Sequence, residues 1–272
     1  MWVLAKFVLA GLALWAGLVA LLAVLQTGML FPRSMVGPAP QLPEGAERLQ
    51  VTLDDGTTLE GVRLPGADRG APLLLGFGGN AWNAEAMALF LHQRAPDHPV
   101  AAFHFRGYAP STGRPSADAL MADSLAIHDT LIADADTDII AVGFSIGAGV
   151  AAHLAQARPI AGAVLVTPFD SLMAVARASF PFAPVRWLFR HDMPALDALA
   201  QSDTPVALII ARHDEVIPPP RAEALAQGLA EADRPARAIW RLEARHNDIY
   251  DHPEFAATLR DAIDAVAGPE TP

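Results

Sequence analysis

Cysteine is absent from all 272 residues. Its absence excludes disulfides, thiolate metal sites and a cysteine nucleophile together, and it leaves the redox compartment open. Positive charge is also scarce. The 19 basic residues stand against 30 acidic ones, a net charge of −11. No Lys/Arg cluster breaks that balance, which argues against a nucleic-acid partner, because phosphate recognition needs a basic footprint. No G-x-G-x-x-G closes the first parallel-type strand, so a dinucleotide has no cradle. Neither a cofactor nor a metal is expected. The length suits one domain with a short appendage, and the oligomeric state is not encoded legibly.

Apolar residues are in excess, at 52%, and the first thirty positions hold much of the surplus. From Phe7 to Leu25 (FVLAGLALWAGLVALLAVL), 19 residues pass without a charged or strongly polar side chain. At about 1.5 Å per residue they reach roughly 28 Å, close to the hydrocarbon thickness of a bilayer. A cleaved signal peptide would end at a small-x-small site, and LAVLQTGML offers no convincing one. Residues 1–27 are therefore expected to form an uncleaved transmembrane anchor. Lys6 and the terminal amine precede the span and Arg33 follows it. By a margin of one charge, that places the body of the protein on the non-cytoplasmic side. Residues 28–46 include Pro32, Pro38, Pro40 and Pro43 and read as an irregular stalk. A single domain over 47–268 is expected beyond it.

RLQVTLD (48–54) and TTLEGVRL (57–64) alternate apolar and polar residues across Asp55-Gly56, the signature of an antiparallel hairpin. Short, wholly apolar runs then alternate with helical stretches. The runs are PLLLGF (72–77), PVAAFHF (99–105), DIIAVG (138–143), AGAVLVT (161–167), PVALIIA (205–211) and RAIWRL (237–242). Such runs are buried on both faces, and strands separated by helices build a parallel sheet. The expectation is α/β: a mostly parallel eight-stranded sheet with helices on both faces. Asn83 and Ser116 are placed to cap two of those helices.

Gly143-Phe144-Ser145-Ile146-Gly147 is G-x-S-x-G, at the end of one apolar run and the start of a helical one. A serine on such a sharp strand-to-helix turn projects its hydroxyl above the sheet, and the flanking glycines remove the side chains that would collide. With 8 serines and 20 glycines in 272 residues, chance supplies roughly 0.04 such matches, so the motif is specific. Sites of this kind place an acid and then a histidine on later loops at strand ends. Asp214 follows PVALIIA, and His246 follows RAIWRL. His246 would take the proton from Ser145, and Asp214 would orient the imidazole. Glu215 is an alternative acid. His252, next to Pro253, suits a capping role better than catalysis. His246, Asp248 and His252 could suggest a metal set, but a triad accounts for His246 more economically.

Gly78-Gly79-Asn80 follows PLLLGF and is the candidate oxyanion loop, with the backbone N–H groups of Asn80 and Ile146 as donors. The segment at about 168–201 has no strand of its own and should form a small helical cap after strand six. Its Phe180, Phe182, Trp187 and Phe189 either pack the cap onto the domain or line an acyl pocket. Arginines among them would suit a face at lipid headgroups.

FGGNAWN (77–83), FHFRGYAPSTGRPS (103–116), GFSIGAGVA (143–151), TPFDSL (167–172), HDEVIP (213–218) and RHND (245–248) are collinear along the chain beyond the stalk. Together they resemble the α/β-hydrolase superfamily. The likeness is to its membrane-anchored domain proteins, which are similar to serine-aminopeptidase-like hydrolases and protein depalmitoylases. The resemblance implies the same Ser145, Asp214 and His246. It also implies that Arg106, Gly107 and Tyr108 shape a loop beside the site. Two positions depart from the group's pattern: Gly78 replaces a histidine in the oxyanion loop, and Ala109-Pro110-Ser111 replaces Gly-x-Ser. The expected activity is hydrolysis of a carboxylic ester or thioester of a small-molecule or acylated substrate, with a peptidase less favoured. The alternative is a non-catalytic binding or scaffold protein on the same fold.

Overall fold

Eight strands run in the order β1-β2-β4-β3-β5-β6-β7-β8 across one sheet. The computed structural model describes residues 1–68, 70–134 and 137–268. β1 (Glu47–Thr52) and β2 (Thr58–Leu64) form the expected hairpin, in register from Glu47–Arg63 to Thr52–Thr58. β2 also pairs antiparallel with β4 (Val100–Phe103). All later pairings are parallel, through β3 (Leu73–Phe77), β5 (Ile139–Phe144), β6 (Gly162–Val166), β7 (Val206–Ala211) and β8 (Ala238–Leu242).

The central strands β3, β5, β6 and β7 are buried at every position. This is why they read as unbroken apolar runs, and alternation along each run divides the core in two. Leu73, Leu75 and Phe77 point into one layer with α3 (Ala117–Asp134), α4 (Ile146–Ala157) and α8 (Pro219–Glu231). Leu74 points into the other, against α2 (Ala84–Arg94) and α9 (Phe255–Ala267). The caps fall where the sequence puts them. Asn83 Oδ1 accepts from the N–H groups of Glu85 and Ala86, and Ser116 Oγ accepts from that of Ala119. Between β6 and β7 the chain makes three short helices, α5 (Leu172–Ser179), α6 (Val185–Leu188) and α7 (Ala195–Ala200), over the carboxyl ends of the strands.

The N-terminal helix α1 runs from Trp2 to Leu30, longer at both ends than the uncharged run that announces it. It thus extends three residues into the segment read as stalk. The next residue, Phe31, is 2% exposed and packs in the core layer with Leu59, Phe103 and Tyr108. The remaining segment has no regular element but one short 3-10 turn at Arg33–Met35. It lies on the domain: Asn83 Nδ2 donates to the carbonyl of Gly37 at 3.2 Å.

Candidate active site

β5 delivers Ser145 to the carboxyl edge of the sheet, and α4 starts one residue later. Between them the backbone of Ser145 adopts φ 53°, ψ −118°, a conformation that only surrounding contacts can hold. Its N–H donates to Val166 O at 2.9 Å, and its carbonyl accepts from Ala148 N–H at 2.9 Å. The flanking glycines are obligatory for steric reasons. A Cβ on Gly147 would stand 2.1 Å from Phe77 O, and one on Gly143 would stand 2.4 Å from Gly147 O. On the other face Phe144 is wedged against Trp82 and Tyr250, with ring centroids 5.2 and 5.9 Å away.

The loops after β7 and β8 bring two further predicted residues to this edge. Asp214 Oδ1 accepts from Val216 and Ile217 N–H groups at 2.9 and 2.7 Å, which fixes the carboxylate plane. Its other oxygen lies 2.7 Å from His246 Nδ1, and His246 Nε2 lies 3.0 Å from Ser145 Oγ. A carboxylate can only accept, so Nδ1 carries the proton and Nε2 presents its lone pair to the serine hydroxyl. All three side chains are buried although they line or adjoin a cavity. Glu215 is not in that series. Its exposed carboxylate accepts from His246 N–H at 3.2 Å, and backbone N–H groups hold it below the usual glutamate range. His252 sits at the start of α9, with Nδ1 accepting from Glu254 N–H at 3.3 Å. Among the described residues no three His, Asp or Glu side chains converge as metal ligands would.

The Gly78-Gly79-Asn80 loop passes directly above the elbow. A Cβ on Gly79 would meet Ser145 Cβ at 3.9 Å. Among the described residues the N–H groups of Asn80 and Ile146 donate to no protein acceptor, and both residues face the cavity beside Ser145. The Arg106-Gly107-Tyr108 turn lies under this loop. Arg106 grips Asp123 through Nε (3.0 Å) and Nη2 (2.5 Å) and reaches Asp55 through Nη1 (2.5 Å). Gly107 has φ 77°, and its Cβ would stand 2.8 Å from Pro115. Tyr108, fully buried, donates its hydroxyl to Asn80 O at 2.7 Å. Burial pushes that phenol above its ordinary pKa, so it stays a donor. Asn80, whose N–H is the candidate oxyanion donor, is thereby held from beneath through its own carbonyl, in the next peptide unit.

The cavity over Ser145 has a volume of about 280 Å³. Of the four aromatic candidates in the cap, Phe180 and Phe189 line it, and Phe182 and Trp187 do not. Trp187 is 81% exposed and Phe182 47%. α6 is a single turn that buries Val185, so Trp187, two positions on, faces away. Sequence reading missed a whole wall. Val19, Leu22, Ala23, Gln26, Met29 and Leu30 of α1 line the same cavity. The available signal was Gln26-Thr27, polar residues that continue the helix beyond the apolar run instead of ending it.

Among proteins similar to this chain, two from Mycobacterium tuberculosis, described as uncharacterized, are 34% identical over 223 residues, 78% of this chain and 77% of theirs. The α/β-hydrolase domain-containing protein WAV2 of Arabidopsis thaliana is 27% identical over 230 residues, 74% of each chain. The α/β-hydrolase domain-containing protein 17C of Mus musculus is 30% identical over 170 residues, 60% of this chain and half of that one. No family model matches. In structure, an esterase of Pyrococcus furiosus superposes with a TM-score of 0.65 at 18% identity, covering 86% of this chain and 98% of its own. An α/β-hydrolase of Vibrio vulnificus superposes with a TM-score of 0.67 at 19% identity, covering 82% and 81%. A mostly parallel sheet of this strand order, relatives of that description and a fold shared with solved hydrolases agree: the chain belongs to the α/β-hydrolase superfamily.

Proposed function

We propose that the protein hydrolyses carboxylic esters or thioesters through Ser145, His246 and Asp214 by way of an acyl-enzyme. The observation that carries this reading is the unbroken series Asp214 Oδ2–His246 Nδ1–His246 Nε2–Ser145 Oγ, at 2.7 and 3.0 Å, opening on an apolar cavity. The esterase among its structural neighbours is consistent with it. His246 takes the hydroxyl proton as Ser145 Oγ attacks the acyl carbon. The developing oxyanion is held by Asn80 and Ile146 N–H, each such donor being worth about 10²–10³ in rate. His246 then gives the proton to the departing oxygen or sulfur as its bond to the acyl carbon breaks. A water repeats the cycle: it loses a proton to His246, attacks the acyl-enzyme and releases the acid, and Ser145 recovers its proton. Asp214 keeps the imidazole in the required tautomer and stabilises its charged form.

In this reading residues 1–27 anchor the enzyme in a bilayer. Residues 28–46 connect the anchor to a catalytic domain over 47–268, capped by 168–201 and facing the non-cytoplasmic side. A fluorophosphonate probe tests the chemistry. It should label the intact protein, and Ser145→Ala should abolish labelling and lower kcat by about 10⁶. Labelling that survives in Ser145→Ala, or ester turnover undiminished by it, would rule out Ser145 as the nucleophile.

A further inference from the structure

The cavity over Ser145 has one wall that the hydrolase domain does not supply. The α1 residues lining it are Val19, Leu22, Ala23, Gln26, Met29 and Leu30. Spacings of 3, 4, 7, 10 and 11 from the first put all of them on one helix face. The opposite wall comes from the cap, with Leu172, Val175, Phe180 and Phe189.

Polar contacts fix which face of α1 turns inward. Gln26 is 8% exposed, an amide buried near the end of a largely apolar helix. Its Nε2 donates to Leu188 O at 3.0 Å, and its Oε1 accepts from Arg190 N–H at 2.9 Å. Arg190 Nη2 in turn donates to Ala23 O at 2.9 Å, and Thr27 Oγ1 lies 2.7 Å from His191 Nε2. Farther out, Trp15 Nε1 donates to Phe182 O at 3.0 Å. A helix that serves only as a tether needs no preferred rotation about its axis. This one is locked to the cap by five hydrogen bonds reaching from position 15 to position 27.

The same contacts set the depth of the cap. The uncharged run Phe7–Leu25, about 28 Å long at 1.5 Å per residue, lies between Lys6 and Gln26, and its half from Trp15 onward runs beside the cap. A hydrocarbon core is about 30 Å thick, so a bilayer that takes up this run also reaches the level of the cap. At that level the cap exposes Phe182, Trp187 and Leu188. Side chains of that type fit a lipid boundary and are poorly suited to water.

We propose that α1 is part of the substrate site: its inner half receives the acyl chain of a bilayer-resident ester or thioester, which passes between α1 and the cap to Ser145. The inference rests on Ser145 being the nucleophile, and its test separates the two. Wild-type protein in phosphatidylcholine vesicles is treated with a fluorophosphonate bearing a decyl chain and a diazirine at its far end, irradiated, digested and mapped. The expected cross-links fall on the peptide containing residues 19–30. Labelled Ser145 with cross-links confined to the cap or to lipid overturns the role of α1 and leaves the nucleophile standing. Absence of labelling overturns both. A second measurement uses Ala23→Phe, which fills the cavity from the α1 side. It should lower the ratio of kcat/KM for decanoyl over acetyl esters by about tenfold. Val24→Phe, on the exposed face of the same helix, should leave that ratio at the wild-type value. An unchanged ratio in Ala23→Phe, or equal changes in both variants, would also overturn the role of α1.

Discussion

The floor and the roof of the cavity are built by different means. The floor is the edge of a sheet: Ser145, Asp214 and His246 each follow a strand, and backbone hydrogen bonds and glycine contacts fix the first two. The roof is a meeting of two segments about 160 residues apart, α1 and the cap, joined by side chains that reach backbone groups. A floor of this kind tolerates almost no change in position. A roof of this kind can open at the cost of a few hydrogen bonds. In the proposed reading, geometry that the chemistry requires is thus kept on the rigid element, and access falls to the element that can yield.

Substitutions in each region sharpen the contrast. Asp214→Asn attacks the floor. It should lower kcat by about 10⁴, because an amide favours the wrong imidazole tautomer, while the resistance of the cap to protease in detergent stays at the wild-type level. A comparable loss of cap protection would mean that floor and roof are one cooperative unit. Gln26→Leu attacks the roof and leaves Leu188 O and Arg190 N–H without their partner. At about 1–3 kcal/mol for each stranded group, cleavage within residues 180–191 should speed up about tenfold or more. Unaltered proteolysis would break the idea that this amide holds the roof closed.

Smaller effects probe the edges of each region. Tyr108→Phe removes the brace beneath Asn80 O, a bond worth about 1 kcal/mol, and should lower kcat/KM about fivefold. The loss should appear in kcat and not in KM if the loop serves the oxyanion. His191 supplies the smallest. Burial holds its pKa below the usual histidine value, and Arg190 nearby pushes the same way while Asp118 opposes. A depressed folded-state pKa means that the neutral ring is the one the seam accommodates. The stability it contributes is complete above the ordinary range and is lost as pH falls below about 6.5. Protease protection of the cap should therefore weaken on acidification, and less so in His191→Phe.

The floor was legible in the sequence because its grammar is local. A strand, G-x-S-x-G and a helix are contiguous, and the positions of Asp214 and His246 follow from counting strands. The same holds for the hairpin over Asp55-Gly56 and the caps at Asn83 and Ser116. The roof was legible only at Gln26 and Thr27, because within the apolar run itself nothing distinguishes one face of the helix from another. Leu22 lines the cavity and Leu21 is exposed, yet the two occupy equivalent places in the sequence pattern. Phe182 and Trp187 failed as pocket candidates for a related reason. In turns as short as α6 no periodicity is long enough to say which side an aromatic will take.

Phe31 has a consequence for where such an enzyme can work. Buried in the core one residue after α1 ends, it leaves no slack between α1 and the body. If α1 spans a bilayer, the hydroxyl of Ser145 is held at a constant height above it. The enzyme then has a working radius close to its own dimensions and acts on whatever lies in, or drifts down to, that thin layer.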